Sequence, residues 1–364
     1  MNLKLILLLG LVSLFADWLY ESMRAVVPQY LYQLGATAAF VGFVFGLGDA
    51  LGYVARFATG PLADRRGGYW LETFLGYGLQ VAAVAGLVFA RDVWQVASLV
   101  FLERFSKALR TPARDAIISG AGGRGSGGKA FGIHAALDQV GAIAGVAMAT
   151  AMLYMSYAAQ AVFTAALVPG LVALLILYVA YRVGKVKPVG RGGGVAVGRG
   201  VFFFGAAQFL LGLSIIHISL SMYRLAEVPW LASLLYLVAM VAEIPASLAL
   251  GFIYDRSHKT LLIAPLFTIL LAISFMTGGV YLFAGAVLYA VVTSYADVVA
   301  KAEAAKLGAA TSLGVVNAMW GLGLLVSGVL YGYFTDVGNY LAIVFTAASS
   351  SIASLVLIWR LVTS

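Results

Sequence analysis

The sequence predicts an all-α membrane protein, with twelve transmembrane helices arranged as two pseudo-symmetric six-helix bundles. Three observations predict it. The first is composition: of 364 residues, 62% are hydrophobic and only 10% charged, and the mean hydropathy is +0.98. A soluble domain carries roughly 45–50% apolar and about 25% charged residues. The 23 Lys and Arg and 15 Asp and Glu are too few to cover a water-soluble chain of this length. The second is pattern. Apolar residues come in continuous runs of about 20, the length a helix needs to cross a bilayer, rather than in the alternation of a membrane barrel. The third is repetition: Gly-x-x-x-Asp-Arg occurs as Gly60…Asp64-Arg65 and again as Gly251…Asp255-Arg256, 191 residues apart.

In chain order the runs place spans near residues 4–32, 37–60, 70–90, 93–111, 130–154 and 158–181. The second set follows near 200–223, 228–252, 260–278, 280–300, 308–332 and 339–361. The opening run "MNLKLILLLGLVSLFADW" lacks a small-residue cleavage site and continues past the length of a signal peptide, so it reads as the first span. The longest polar interruption, "YRVGKVKPVGRGGGVAVGRG", has five basic residues, no acid and many glycines, the composition of a flexible linker. It divides the chain into a bundle at 1–181, a cytoplasmic linker at 182–199 and a bundle at 200–364. The fifth spans of the two halves also align. "FGIHAALDQVGAIAG" lies over "LGVVNAMWGLGLLVS", with Gly132 over Gly314 and Gly141 over Gly323.

Lys and Arg set the orientation. One set of loops holds Arg65, Arg66, Arg110, Arg114, Arg124, Lys129, Arg182, Lys185, Lys187, Arg191, Arg199, Arg256, Lys259, Lys301 and Lys306. The other holds little beyond Arg91 and Arg224. The asymmetry places both termini in the cytoplasm and the chain in the cytoplasmic (inner) membrane. The net charge of +8 is distributed among these short loops and forms no nucleic-acid patch.

Twelve spans, a repeat of six, both ends inside and "GPLADRRGGYW" between spans 2 and 3 together resemble the major facilitator superfamily. Gly60, Asp64, Arg65 and Gly67 occupy the positions of that family's loop signature, while Tyr69 and Trp70 stand where further basic residues are usual. Asp255, Arg256 and Lys259 form a looser second copy. "RFSKALRTPARD" partly matches the family's R-x-x-Q-G element through Arg104, with Lys107 and Ala108 replacing Gln and Gly. "GAIAGVAMA" is similar to its antiporter-associated glycine element through Gly141 and Gly145, with Val146 in place of proline. The likeness "RTPARDAI…GKAFGIHAALD" points to a poorly characterised prokaryotic branch. The resemblance implies two bundles rocking about a central path lined by spans 1, 4, 7 and 10.

Charges within spans are costly and face the bundle interior, a water-filled cavity or a partner. Asp17, Glu21 and Arg24 share one face of span 1 by their spacings of four and three. They line a cavity, or Glu21–Arg24 is an internal pair that pins the helix. Span 4 carries Glu103, Arg104 and Lys107, either at the central path or in an ion-pair network between spans 2, 4 and 11. Asp49 in span 2, Asp138 beside His134 in span 5, and Glu243 in span 8 are proton-carrier candidates or satisfied interhelical partners. His217, placed mid-span 7, is a packing residue or a substrate contact; Gln208 and Asn317 are neutral hydrogen-bonding candidates. Asp297 and Lys301 form an i, i+4 gate or bridge. Gly60, Asp64, Arg65, Asp255 and Arg256 read as a gate latch, with Asp64 favouring the N-terminal end of span 11 near Gly308–Ser312.

The chain has no cysteine, its three histidines are scattered, and no catalytic triad, P-loop, metal cluster or flavin fingerprint occurs. "GFVFGLGDALGY" reads as small-residue helix packing through Gly42, Gly46, Gly48 and Gly52. The expectation is a cofactor-free, metal-free, non-enzymatic monomer that moves a small molecule by alternating access, with protons as coupling ion. Export by antiport is slightly favoured, proton-coupled uptake of a metabolite or anion is the alternative, and a non-transporting sensor or scaffold the remote one.

Overall fold

The computed structural model describes residues 2–122, 127–184, 198–307 and 310–363; at 57–58, 60–66, 127, 310–311 and 363 it describes the backbone alone. Among these residues every long element is a helix. The first half comprises α1 (Leu3–Arg24), α2 (Val27–Gln33), α3 (Ala38–Arg66), α4 (Tyr69–Phe89), α5 (Val93–Gly122), α6 (Gly127–Tyr154) and α7 (Ala159–Val183). The second comprises α8 (Arg199–Ser214), α9 (Ile218–Tyr223), α10 (Pro229–Arg256), α11 (Ile263–Thr277) preceded by a 3₁₀ turn, and α12 (Tyr281–Ser294). It ends with α13 (Lys301–Leu307), α14 (Ala310–Asp336) and α15 (Tyr340–Thr363).

Eleven segments among the described residues are long and apolar enough to cross a membrane. The twelfth long helix is α5, whose middle and second half carry Glu103, Arg104, Lys107, Arg110, Arg114 and Asp115. It runs well beyond the expected end at residue 111. Arg110 and Arg114 therefore belong to a helix rather than to a cytoplasmic loop, and Arg110 is fully buried. The orientation argument loses these two cations and rests on the others. On α7 both faces are apolar. Val162, Phe163, Ala166 and Leu177 are buried, while Val168, Leu171, Leu175 and Tyr178 are exposed, as lipid contact demands.

Spans 1 and 7 are each interrupted. The first breaks at residues 25–26, between α1 and α2, and the seventh at 215–217, between α8 and α9. The repeat register of 191 carries α2 at 27–33 onto 218–224, over α9, and the start of α3 at Ala38 onto Pro229, the start of α10. The duplication thus extends to the helix breaks. It extends to close packing as well. A Cβ on Gly141 of α6 would overlap the Leu14 carbonyl of α1, and one on Gly323 of α14 would overlap the Phe209 carbonyl of α8.

The chain forms two compact units, residues 1–30 with 55–192 and residues 31–54 with 193–364. Most of the expected linker, 185–197, lies outside the described residues. Within the second unit, residues 31–54 bring the first part of α3 onto α14. Side chains at Gly42, Gly46, Gly328 and Gly332 would collide with the facing backbone, whereas Gly52 has open space around it. Close approach is therefore built from glycine at the first four positions and not at the last. Asp336, at the end of α14, accepts from the Ala38 and Ala39 amides at 2.7 and 2.9 Å and so caps α3 from a distant part of the chain. In the first unit, Leu5, Leu9, Tyr77, Ile117 and Leu177 form part of a core where α1, α4, α5 and α7 meet. Gly67, with φ +63°, makes the turn from α3 to α4, a left-handed conformation that glycine adopts at least cost.

Candidate functional site

The first unit gathers nearly all its intramembrane charge against one face of α1. Ser13, Asp17, Tyr20, Glu21 and Arg24 recur at helical spacing, and all but Arg24 are buried. Asp17 Oδ1 lies 3.6 Å from Nη2 of Arg110 on α5. Ser13 Oγ donates to Asp138 on α6 and receives Arg114 Nη1 at 3.3 Å. The carboxyls of Asp17 and Asp138 are neighbours there, each within electrostatic reach of the other. Arg114 is held on its other side by its neighbour Asp115, at 2.9 Å. The Ser13–Asp138 hydrogen bond thus ties α1 to α6, and Arg110 and Arg114 join the group from α5.

A second layer surrounds Tyr20. Arg104 Nη1 donates to its hydroxyl, and the guanidinium stands 5.3 Å from the ring centre. Lys107 Nζ lies 4.1 Å from the same ring and Arg24 5.5 Å, so three cations share one aromatic face and edge. Glu21 Oε1 is 3.8 Å from Arg24 Nη1, the internal pair expected from their spacing. Glu103 is fully buried and accepts from Gln80 Nε2 of α4 at 3.4 Å. Arg110 stacks 4.5 Å from the Tyr77 ring centre, and its buried guanidinium nitrogens make no hydrogen bond. A buried guanidinium with Asp17 only at 3.6 Å is an unusual arrangement, because its donors ordinarily find partners.

All six leading candidates, Asp17, Glu21, Arg24, Glu103, Arg104 and Lys107, therefore belong to one network, and Asp138 joins them. Among the described residues the network is built from α1, α4, α5 and α6, which are spans 1, 3, 4 and 5. Sequence reading missed Tyr20, Ser13, Gln80, Tyr77 and the burial of Arg110. For Tyr20 and Ser13 a signal existed: both lie on the same face of α1 as Asp17.

The second unit holds two further candidates together. His217 Nε2 is 3.2 Å from Asp49 Oδ2, although 168 residues separate them in sequence. His217 is fully buried and sits in the interruption of span 7, not within a continuous helix, with its Nδ1 accepting from the Ser219 amide at 3.2 Å. Packing against Phe45 and Tyr289 completes its surroundings. Gln208, which the 191-residue register places over Asp17, reaches the Tyr295 hydroxyl at 3.4 Å. The second unit thus repeats with neutral groups what the first does with charges.

Other candidates take separate places. Glu243 is half-buried in α10, with Ser247 and Ser294 donating to its backbone carbonyl at 2.7 and 3.3 Å. Asp297 and Lys301 form the expected i, i+4 bridge at 2.5 Å, across a π-helical turn at Tyr295–Ala300. Asp255 and Arg256 are exposed in the last turn of α10. Their neighbour Tyr254 instead donates to Glu303 at 2.5 Å, and Glu303 also meets His258 at 3.3 Å and Lys306 at 3.7 Å. The side chains of Gly60, Asp64 and Arg65, and residues 308–309 of the proposed docking point, lie outside the described residues. A cleft of about 700 Å³ beside the α4–α5 turn, lined by Phe89, Trp94, Gln95 and Leu99, is remote from these charges.

Among the described residues, twelve long helical segments, a duplicated register with matching interruptions, and buried charge along α1 and α5 define a multi-pass membrane protein. The chain matches the Major Facilitator Superfamily over residues 6–302. It belongs to that family. It is 35% identical over 301 residues to an uncharacterized protein of Mycobacterium tuberculosis, covering 76% of this chain and 72% of that one. An uncharacterized MFS-type transporter of Methanocaldococcus jannaschii is 29% identical over 178 residues, 48% of this chain and 44% of that one. Among solved structures, the nucleoside transporter NupG superposes with a TM-score of 0.75 at 12% identity, covering 99% of both chains. The peptide transporter POT in complex with sulfate superposes with a TM-score of 0.75 at 15% identity, covering 99% of this chain and 95% of that one. At such identities these two establish the fold alone.

Proposed function

We propose that the protein is a proton-coupled secondary active transporter that moves a small organic molecule across the cytoplasmic membrane by alternating access. It acts without enzymatic turnover, as a monomer, with both termini in the cytoplasm. The observation that carries this reading is the Asp17–Arg110 pair inside a buried network that also holds Asp138. That network contains five cations (Arg24, Arg104, Lys107, Arg110, Arg114) and five acids (Asp17, Glu21, Glu103, Asp115, Asp138). Its carboxyls can take up a proton, whereas its guanidiniums cannot release one. A balanced network that gains one proton becomes positive by one charge, which links proton uptake to binding of an anionic or polar group.

The glycines Gly141 and Gly145 first favoured export. Both pack α6 onto α1, and Gly323 does the same work for α14 on α8, so the element serves helix packing in both halves. Direction is therefore read from experiment. A screen of metabolites and drugs by thermal shift on purified protein, at two pH values, identifies a ligand by its stabilisation of the folded state. In proteoliposomes, antiport moves protons against the substrate and symport moves them with it. Asp17→Asn is expected to uncouple flux from the proton gradient. Unchanged proton-coupled flux in Asp17→Asn, Glu21→Gln and Glu103→Gln alike sinks the reading.

A further inference from the structure

Span 7 is interrupted where His217 stands, and the geometry points to a second proton-binding site there: we propose that the His217–Asp49 pair is a proton-operated clasp that holds the first part of α3 in the second unit. It is separate from the Asp17 network and does not depend on which residue there carries a proton.

The argument begins with the ring. His217 precedes α9, and its Nδ1 accepts from the Ser219 amide at 3.2 Å, with the Ser219 hydroxyl at 2.7 Å. A nitrogen that accepts from an amide carries no proton, so the single proton of the neutral ring sits on Nε2, 3.2 Å from Asp49 Oδ2. In this state the pair bears one net negative charge, fully buried at the histidine and partly at the aspartate, whose side chain is 15% exposed. A proton taken from solvent adds at Nδ1. The Ser219 hydroxyl then turns from donor to acceptor, the Ser219 amide loses its cap, and the pair becomes a neutral ion pair. Proton uptake thus exchanges a helix cap inside span 7 for a stronger bond to α3.

The surroundings suit this exchange. Phe45, one turn before Asp49 on α3, lies 5.5 Å from the imidazole centre, and Tyr289 of α12 meets the ring edge-on at 6.0 Å. The titratable groups facing the ring include Asp49 from α3 and the Tyr289 phenol from α12. α10, which also packs on α9, carries its acids Glu243 and Asp255 in its middle and last turn. The rest of the docking includes backbone contact through Gly42, Gly46, Gly328 and Gly332, and the Asp336 cap on Ala38 and Ala39. The titrating pair is the adjustable part of an otherwise fixed seam.

The test uses the full chain in detergent or nanodiscs, and the absence of native cysteine simplifies labelling. His134→Gln with His258→Gln leaves His217 as the sole histidine for ¹⁵N-ring spectra. At alkaline pH the spectrum is expected to show a protonated Nε2 and a bare Nδ1, with both nitrogens protonated after one step as the pH is lowered. Spin labels at Thr37→Cys and Asn339→Cys report the docking of α3. Their distance distribution is expected to narrow as the ring gains its proton, and to lose that pH dependence in Asp49→Asn and His217→Gln. A ring that stays singly protonated across the range overturns the proposal, as does docking that ignores the ring or keeps its pH dependence in both variants. If these fail while proteoliposome flux remains proton-coupled, the transport reading stands and only the clasp is lost.

Discussion

Asp17 and Arg110 show how a buried pair differs from a surface one. Removing one partner of such a pair leaves an uncompensated charge and costs roughly 3–5 kcal/mol. The two partners are not equivalent: a carboxylate can take up a proton, whereas a guanidinium cannot release one. Asp17→Asn is therefore expected to lower thermal stability more than Arg110→Gln, at a cost of about 3 kcal/mol. The double variant should recover part of the loss, and a thermal-unfolding double-mutant cycle measures it. At this scale the sequence was informative about α1 and misleading about α5. The spacing of Asp17, Glu21 and Arg24 places them on one face whatever surrounds the helix. Arg110 and Arg114 read as loop cations because charge density after residue 103 resembles a span end. Their burial depends on Asp17, Asp138 and Tyr77, which other helices supply.

Between elements, the seam of α3 with α14 turns on single atoms. Gly42 cannot accept a Cβ without displacing the Gly328 backbone, while Gly52 meets nothing within contact distance. Gly42→Ala is expected to lower the melting temperature, by the ~1–3 kcal/mol typical of overpacking. Gly52→Ala should be neutral or stabilise by up to about 1 kcal/mol, since alanine suits a helix interior better than glycine. Equal effects at both positions would contradict the seam. Asp336→Ala removes the cap of α3 and costs about 1 kcal/mol. Amide exchange at Ala38 and Ala39 should quicken about fivefold, read by mass spectrometry. An aspartate on the N-terminus of a neighbouring helix does occur among the described residues, where Asp336 of α14 caps α3, while the expected Asp64 latch lies outside them. The same dipole attraction was recognised in the sequence, but two helices 298 residues apart gave no local sign of their pairing.

For the whole molecule, the distribution of Lys and Arg predicts both termini inside even after Arg110 and Arg114 are withdrawn from the loops. A membrane-impermeant maleimide added to intact cells is expected to label Asp92→Cys, at the α4–α5 turn, and to leave Lys4→Cys unlabelled; the reverse pattern would invert the topology. The sequence by itself determined the solvent, the helical class, the sites of the spans and the duplication. Hydropathy and repeat register are properties of consecutive residues, and a bilayer selects helices from them without reference to the rest of the chain. Only the tertiary structure decided that Tyr20 gathers three cations, that Arg110 lies buried against Asp17, and that His217 in a broken helix faces Asp49. Those outcomes depend on how each helix is rotated about its axis and how closely its backbone approaches its neighbour. Glycine permits the approach at Gly42, Gly141 and Gly323, but the choice of partner emerges only when the helices are packed together.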